Sequence, residues 1–136
     1  LSQPEEEKRL AGLELLIFKA HTLSNEELIS LSKDLINDVR DPIVIKTIKI
    51  LQRRDGRDVC ELIAEVAISG SNRAAYVAIM ALGSIESSHS IAALSAILPK
   101  LPKGERLTLT KKQIQHQYRL SKISPTKRSL EKIAKQ

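Results

Sequence analysis

Few side chains in this chain have the type and spacing that catalysis requires. A nucleophilic cysteine needs a lowered pKa and a nearby base, but Cys60, the single cysteine, lies on an apolar helical pattern in phase with Ile29 and Ile91. Ser87 and His89 place a hydroxyl near an imidazole, yet serines ahead of an apolar run are also preferred helix N-caps. We therefore predict a packing role for Cys60, a capping role for the serines and no enzymatic activity.

Metal, cofactor and phosphate sites are not indicated by the other residues. No histidine has a Cys, His or carboxylate partner at metal-ligand spacing on its own helix. The histidines are His21, His89 and His116. The five glycines are isolated from one another, so no glycine-rich phosphate loop is present. The sequence predicts no metal, no cofactor and no small-molecule substrate.

Charge is distributed unevenly along the chain. Residues 1–98 contain eleven Lys or Arg and fourteen Asp or Glu, a formal charge of −3, whereas residues 99–136 contain eleven and two, a formal charge of +9. An acidic surface attracts basic peptides, and clustered Lys and Arg bind nucleic-acid phosphates regardless of base sequence. The charge pattern therefore indicates two candidate binding surfaces of opposite sign.

Apolar residues recur every 31 residues over the first part of the chain, as Ile17, Ile48 and Ile79 do. A period of this size indicates stacked helical pairs, each too small to bury its apolar face alone. We predict one all-α domain with three pairs and a basic helical extension. The pairs span approximately residues 4–38, 41–70 and 71–98, and the extension spans 99–136, with helices from about 110 to 121 and from 125 onward.

Capping signals delimit the predicted helices. Ser24 and Glu27 form a capping box, Asp41 precedes a proline at the first helical position, and Gly70 is expected to end a helix in the left-handed conformation. The predicted core residues are Leu10, Leu13, Ile17, Leu28, Ile29, Leu31, Leu35, Ile36, Val44, Ile45, Ile48, Leu51, Val59, Leu62, Ile63, Val66, Ala67, Ala75, Tyr76, Ile79, Leu82, Ile91, Leu94, Ile97 and Leu98.

These features resemble HEAT-type (HEAT/armadillo-like) helical repeats over residues 8–98. The resemblance is carried by the caps Asp41–Pro42 and Ser71–Asn72, by the spacing of apolar residues over 44–51, and by the segment 78–85. It implies a right-handed α-solenoid of about three helical pairs with C-terminal capping helices. Such solenoids usually serve as scaffolds for protein contacts, and the second helix of each pair lines the concave face.

By that resemblance, an acidic groove is expected along the second helices, opposite the core positions. Its predicted residues are Glu27, Asp34, Asp58, Glu61 and Glu65. We expect a non-catalytic scaffold that binds a basic or helical segment of another protein there. Solvated helix faces without a partner are the simpler alternative.

The basic extension has three interpretations. It binds DNA or RNA, it folds along the acidic groove, or it is a solvated cap of the kind that terminal repeats need. The residues of the nucleic-acid alternative are Lys111, Lys112, Arg119, Lys122, Lys127 and Arg128. Apolar runs too short to span a bilayer, an acidic start without a signal-peptide pattern and the lone cysteine lead us to expect a cytoplasmic protein without membrane contact.

Overall fold

A computed structural model describes the backbone of residues 4–121 and the side chains of residues 7–117. Over this part the chain is all-α, as predicted, with no strand. The helices are α1 (Pro4–Lys19), α2 (Asn25–Leu35), α3 (Asp41–Leu51), α4 (Arg57–Ser69), α5 (Asn72–Ile85), α6 (Ser88–Ile97) and α7 (Glu105–Ser121), with 3₁₀ turns at Ala20–Thr22 and Leu98–Lys100. The predicted helix beginning near residue 125 lies outside the described residues.

The helices form two rows. In the odd row, α1, α3, α5 and α7 each contact the next, and in the even row α2, α4 and α6 do the same. Helices that follow one another in sequence also contact across the rows, so the apolar core lies between them. The alternation does not stop at residue 98, because α7 packs on α5 as the next member of the odd row.

Most of the predicted core is buried. Ile48 and Ile79, which define the period, have no exposed surface, and the same holds for Leu51, Leu82 and Leu94. These side chains belong to helices that have neighbours on both sides or lie between the two rows. The 31-residue register is therefore confirmed as a burial pattern from α2 to α6.

Four predicted core residues are exposed instead, and the prediction was wrong for them. Ile17 is 52% exposed and Tyr76 is 57% exposed, and Leu10 and Leu31 are also exposed. In α1, Leu16 is buried in place of Ile17. Since α1 is the first described helix of the odd row and has α3 as its main neighbour there, it buries one narrow stripe and leaves its other apolar residues uncovered.

Polar contacts join successive repeats near the helix starts. The Ser71 hydroxyl, which caps α5, donates to the Asp41 carboxylate at 2.7 Å. The Ser87 hydroxyl, which caps α6, donates to Asp55 at 2.7 Å, and the Asn25 amide donates to the Asp55 carbonyl at 3.0 Å. These contacts span 30, 32 and 30 residues, so the sequence period reappears in the hydrogen bonding.

The predicted caps are confirmed at Ser24, Ser71 and Ser87. Two other predictions of this kind were wrong. Helix α3 begins at Asp41 itself, so its side chain does not cap α3 and is free to accept from Ser71. Gly70 is extended rather than left-handed (φ −73°, ψ 173°). A larger residue does not fit at this position, because its Cβ would lie 2.6 Å from the Val66 carbonyl oxygen.

Helix α7 begins at Glu105, earlier than the predicted start near residue 110. Arg106 in its first turn donates to the carbonyls of Ala67, Ile68 and Gly70 and to the Asn72 side chain. The carbonyls at the end of α4 have no hydrogen-bond donor within that helix. Arg106 of α7 provides the donors that they lack. Further along α7, the buried Gln117 amide donates to the Leu82 and Gly83 carbonyls.

Candidate partner-binding groove

A shallow groove of about 440 Å³ runs between α2 and α4 on the even row. Its floor is apolar, because Ile29 is half-buried and Leu62 is buried in the core. Charged side chains stand exposed along both walls. The lining residues are Glu26, Ile29, Ser30, Lys33, Asp58, Glu61, Leu62 and Glu65. We call this feature the α2–α4 groove.

The groove contains three of the five carboxylates predicted for it. Asp58, Glu61 and Glu65 lie at spacings of three and four residues on α4, so they share one helix face. Glu27 and Asp34 are exposed on α2 but do not line the groove. The Glu27 carboxylate instead accepts from the Ser24 backbone N–H at 3.2 Å in the capping box, and the hydrogen bonds to Ser24 lower the pKa of Glu27.

On the α2 wall of the groove, the repeat register placed Ser30 correctly, but sequence reasoning missed Glu26, Ile29 and Lys33. Together these four residues form the α2 wall. They follow the helical spacing i, i+3, i+4, i+7, which places them on one stripe of α2. That stripe was available in the sequence, but the repeat register alone could not tell which flank of α2 would face α4. The stripe through Glu27 and Asp34 is turned away from it.

Negative charge prevails along the α2–α4 groove. The lining residues include four carboxylates and one lysine, a formal charge of −3. Arg57 donates to Glu61 at 2.9 Å, and this hydrogen bond raises the pKa of Arg57. Both partners are largely exposed, and exposed ion pairs of this kind contribute little. The groove can therefore attract cationic groups while it offers an apolar floor.

Residues that suggested catalysis have structural partners. The Ser87 hydroxyl donates to Asp55 and accepts from the Ser90 N–H, so it caps α6 and does not donate to an imidazole. His89 contacts the same Asp55 carboxylate, with Nδ1 and Oδ1 3.4 Å apart. Hydrogen bonding from Ser87 lowers the pKa of Asp55. The three side chains meet, but not in the Ser–His–carboxylate order that activates a nucleophile.

Cys60 is 1% exposed and belongs to the apolar core. Burial raises the pKa of the Cys60 thiol to about 11. At neutral pH the side chain is therefore a thiol, which is the unreactive form. These observations support the packing role that the sequence predicts.

The basic residues of the nucleic-acid alternative are only partly described. Lys111 and Lys112 are exposed on α7. Lys112 lines a cleft between α5 and α7 and Lys111 does not. The side chain of Arg119, and Lys122, Lys127 and Arg128 as whole residues, lie outside the described part of the chain.

The described part of the chain contains neither a metal-binding cluster nor a helix suited to cross a membrane. No group of three or more His, Cys, Asp or Glu side chains within residues 7–117 is arranged to hold a metal ion. No helix in that part of the chain combines the length and the apolar character needed to cross a membrane.

Comparison of the chain with protein-family models, with curated proteins and with solved structures found no match. The resemblance to HEAT-type repeats therefore rests on the residue pattern alone, and the function has to be argued from the grooves and charges of this chain.

Proposed function

We propose that this protein is a non-catalytic scaffold whose α2–α4 groove binds a basic, amphipathic segment of another protein. The observation that carries the proposal is the combination of an apolar floor, Ile29 and Leu62, with walls that hold four carboxylates. A solvated helix face would need no such floor. A basic amphipathic helix presents an apolar stripe flanked by lysines or arginines, which complements both features.

The architecture that we propose for this function is a right-handed α-solenoid of the HEAT-like kind, with the even row as the partner-facing side. The alternation of α1 to α7 between two rows supports it, as do the hydrogen bonds that repeat at 30 to 32 residues. In such a stack each helical pair contacts its neighbouring pairs only. The grooves between helices of one row can accommodate an extended or helical ligand.

Charge reversal in the groove tests the proposal. The probe is a fluorescently labelled amphipathic helix made of leucine and lysine, and the measurement is its association rate by stopped-flow anisotropy. The variant is Glu61→Lys with Glu65→Lys, which changes the formal charge by about +4. The control is Asp34→Lys, which changes it by about +2 at an exposed carboxylate of α2 outside the groove. We expect the double variant to slow association about tenfold at low salt, because opposite charges steer encounter.

The control should bind the probe within about twofold of the original chain, and added salt should remove most of the difference between the variants. Equal slowing by Asp34→Lys would mean that the probe senses net charge rather than the groove. Unchanged association of the double variant would reject the α2–α4 groove as the binding site. Circular dichroism of each variant reports that the fold is retained.

The nucleic-acid alternative has one observation in its favour, the exposure of Lys111 and Lys112 on α7 beside a strongly basic C-terminal sequence. It predicts the opposite pattern: binding of DNA or RNA that is insensitive to Glu61 and Glu65 and is lost when the basic residues are removed. A gel-shift assay of the full chain and of residues 1–121, at low and at physiological salt, distinguishes the two functions. Tight binding that survives physiological salt and requires residues 122–136 would overturn our first choice.

A further inference from the structure

A second cleft lies between the N-terminal halves of α5 and α7, on the odd row and away from the α2–α4 groove. Its volume is about 760 Å³, which is within the range of small-molecule sites. The lining residues are Asn72, Tyr76, Ile79, Pro102, Lys103, Gly104, Glu105, Arg106, Thr108, Leu109 and Lys112. We call this feature the α5–α7 cleft.

The cleft has an apolar and aromatic interior. Leu109 is half-buried and offers aliphatic surface at the floor, whereas Ile79 lines the cleft from within the core and has no exposed surface of its own. Tyr76 stands exposed on one wall although the repeat register predicts it as a core residue. An exposed tyrosine beside aliphatic side chains provides a flat surface on which a ring can stack.

Cations prevail around the opening. Lys103 and Lys112 are exposed, and neither has a carboxylate at ion-pair distance in the described part of the chain. Glu105 is the one carboxylate that lines the cleft, so the lining has a formal charge of +2. Glu105 lies in the first turn of α7, where the helix dipole favours a negative charge.

Arg106 gives this region a fixed positive charge. Its guanidinium is held by four hydrogen bonds, to three backbone carbonyls at the end of α4 and to Asn72, and no carboxylate among residues 7–117 forms an ion pair with it. The hydrogen bonds hold the guanidinium in place against α4, so the cation cannot move away from the cleft. A ligand anion would meet this charge already positioned and would not need to order it.

We propose that the α5–α7 cleft binds a small organic anion whose apolar, ring-containing body lies on Tyr76 and Leu109 while its anionic group meets Lys112 and Lys103. An apolar molecule without charge would leave the two lysines unused, and an inorganic anion would leave the apolar floor uncovered. The amphipathic anion satisfies both parts of the lining. This site is independent of the groove function proposed above.

The test uses naphthalene sulfonate as the anionic probe and naphthalene sulfonamide as its neutral counterpart, with binding followed by ¹H–¹⁵N correlation spectra of the full chain. Lys112→Glu is the informative variant, and Lys111→Glu is the matched control, because the neighbouring exposed lysine does not line the cleft. Tyr76→Ala removes the stacking surface without changing charge.

We expect saturable binding of the sulfonate with shifts at residues 72–79 and 103–112. The neutral probe should bind at least about fivefold more weakly than the sulfonate. Lys112→Glu should lower the affinity for the sulfonate at least about fivefold. Lys111→Glu should have less than about a twofold effect, and Tyr76→Ala should weaken both probes. Equal weakening by the two lysine reversals, equal affinity for the two probes, or shifts that do not saturate would each overturn the proposal.

Discussion

Asp38 is the residue at which α1 and the segment between α2 and α3 are joined electrostatically. Its carboxylate, 1% exposed, accepts from the Arg40 backbone at 2.8 Å and from the Arg40 guanidinium at 2.9 and 3.0 Å. Arg9 of α1 approaches the same carboxylate at 3.4 Å. The Arg40 side-chain hydrogen bonds are the main cause that lowers the pKa of Asp38 to about 2. A buried carboxylate with these partners stabilises the fold as long as it stays ionised.

The stability of the chain should therefore fall on acidification through the range from about pH 4 to about pH 2. Because the folded-state pKa of Asp38 lies below the unfolded one, its contribution is present above the unfolded pKa and is lost as pH falls through the folded pKa. The shift corresponds to about 2 kcal/mol at neutral pH. Urea unfolding of the original chain and of Asp38→Asn at several pH values measures the contribution of the ionised Asp38 to the free energy of unfolding.

The two unfolding free energies should differ by about 2 kcal/mol at pH 7 and converge as the pH approaches 2. Asp34→Asn serves as the control, since Asp34 is exposed on α2 and such changes usually alter stability by less than about 0.5 kcal/mol. A difference that stays constant over the whole pH range would show that Asp38 acts through packing rather than through its charge.

Cys60 should be unreactive in the folded chain. Because burial excludes reagents and raises the pKa of its thiol to about 11, Ellman's reagent at pH 8 should modify it slowly in buffer and completely in urea. Cys60→Ala should keep partner binding and cost little, whereas Cys60→Ser should cost about 1–3 kcal/mol if its hydroxyl is left unpaired. Rapid modification of the native protein, or loss of function in a folded Cys60 variant, would contradict the packing role.

At the scale of the element, glycines report where an added Cβ would collide with nearby backbone and where it would not. A Cβ at Gly70 would lie 2.6 Å from the Val66 carbonyl oxygen, which is backbone and cannot move aside cheaply. A Cβ at Gly12, inside α1, would meet nothing within 4 Å. The two positions therefore make a matched pair in which the same substitution should have opposite signs.

Gly70→Ala should lower the free energy of unfolding by about 1–3 kcal/mol because of steric strain. Gly12→Ala should raise it by about 0.5–1 kcal/mol because alanine has the higher helix propensity and the lower chain entropy when unfolded. Urea denaturation of both variants gives the comparison. A stabilising Gly70→Ala would mean that the end of α4 can relax and that the close approach is not a constraint.

The elements of the repeat array could be predicted from the sequence, while its edges could not. Caps at Ser24, Ser71 and Ser87 placed the starts of α2, α5 and α6 correctly because capping is a local interaction. Burial of Ile17 was predicted wrongly because it depends on whether a helix has one neighbour or two, which the period does not encode.

The candidate groove was also predictable only in part. The α4 wall was predicted because Asp58, Glu61 and Glu65 lie opposite that helix's core stripe, which the repeat identifies. The α2 wall was missed except for Ser30, because the wall depends on the rotation of α2 against α4, a property of packing between helices. The α5–α7 cleft was missed entirely, since the sequence period ends where α7 begins to extend the odd row.

At the scale of the whole molecule, α7 packs on α5 and α6 as a member of the helical array and is not a loosely attached extension. Arg106 binds the end of α4, Gln117 binds backbone carbonyls of α5, and Ile114 is buried with Leu101 in the common core. Removing α7 would expose the α5 face that it covers and would leave the last carbonyls of α4 without Arg106. The basic sequence therefore includes a structural part up to residue 121.

A truncation series separates that structural part from any binding function. The chain 1–102 should lose about 5 kcal/mol or more of stability relative to 1–121, since each buried aliphatic side chain contributes about 1.5–3 kcal/mol. The chain 1–121 keeps every described contact and should unfold cooperatively with a helical circular dichroism spectrum. Binding should therefore be compared between 1–121 and the full chain. If 1–102 proves as stable as 1–121, α7 is an appendage and its place in the odd row has no energetic weight; if it unfolds as expected, the loss of any ligand on removing residues 103–136 reports a broken scaffold rather than a missing binding site.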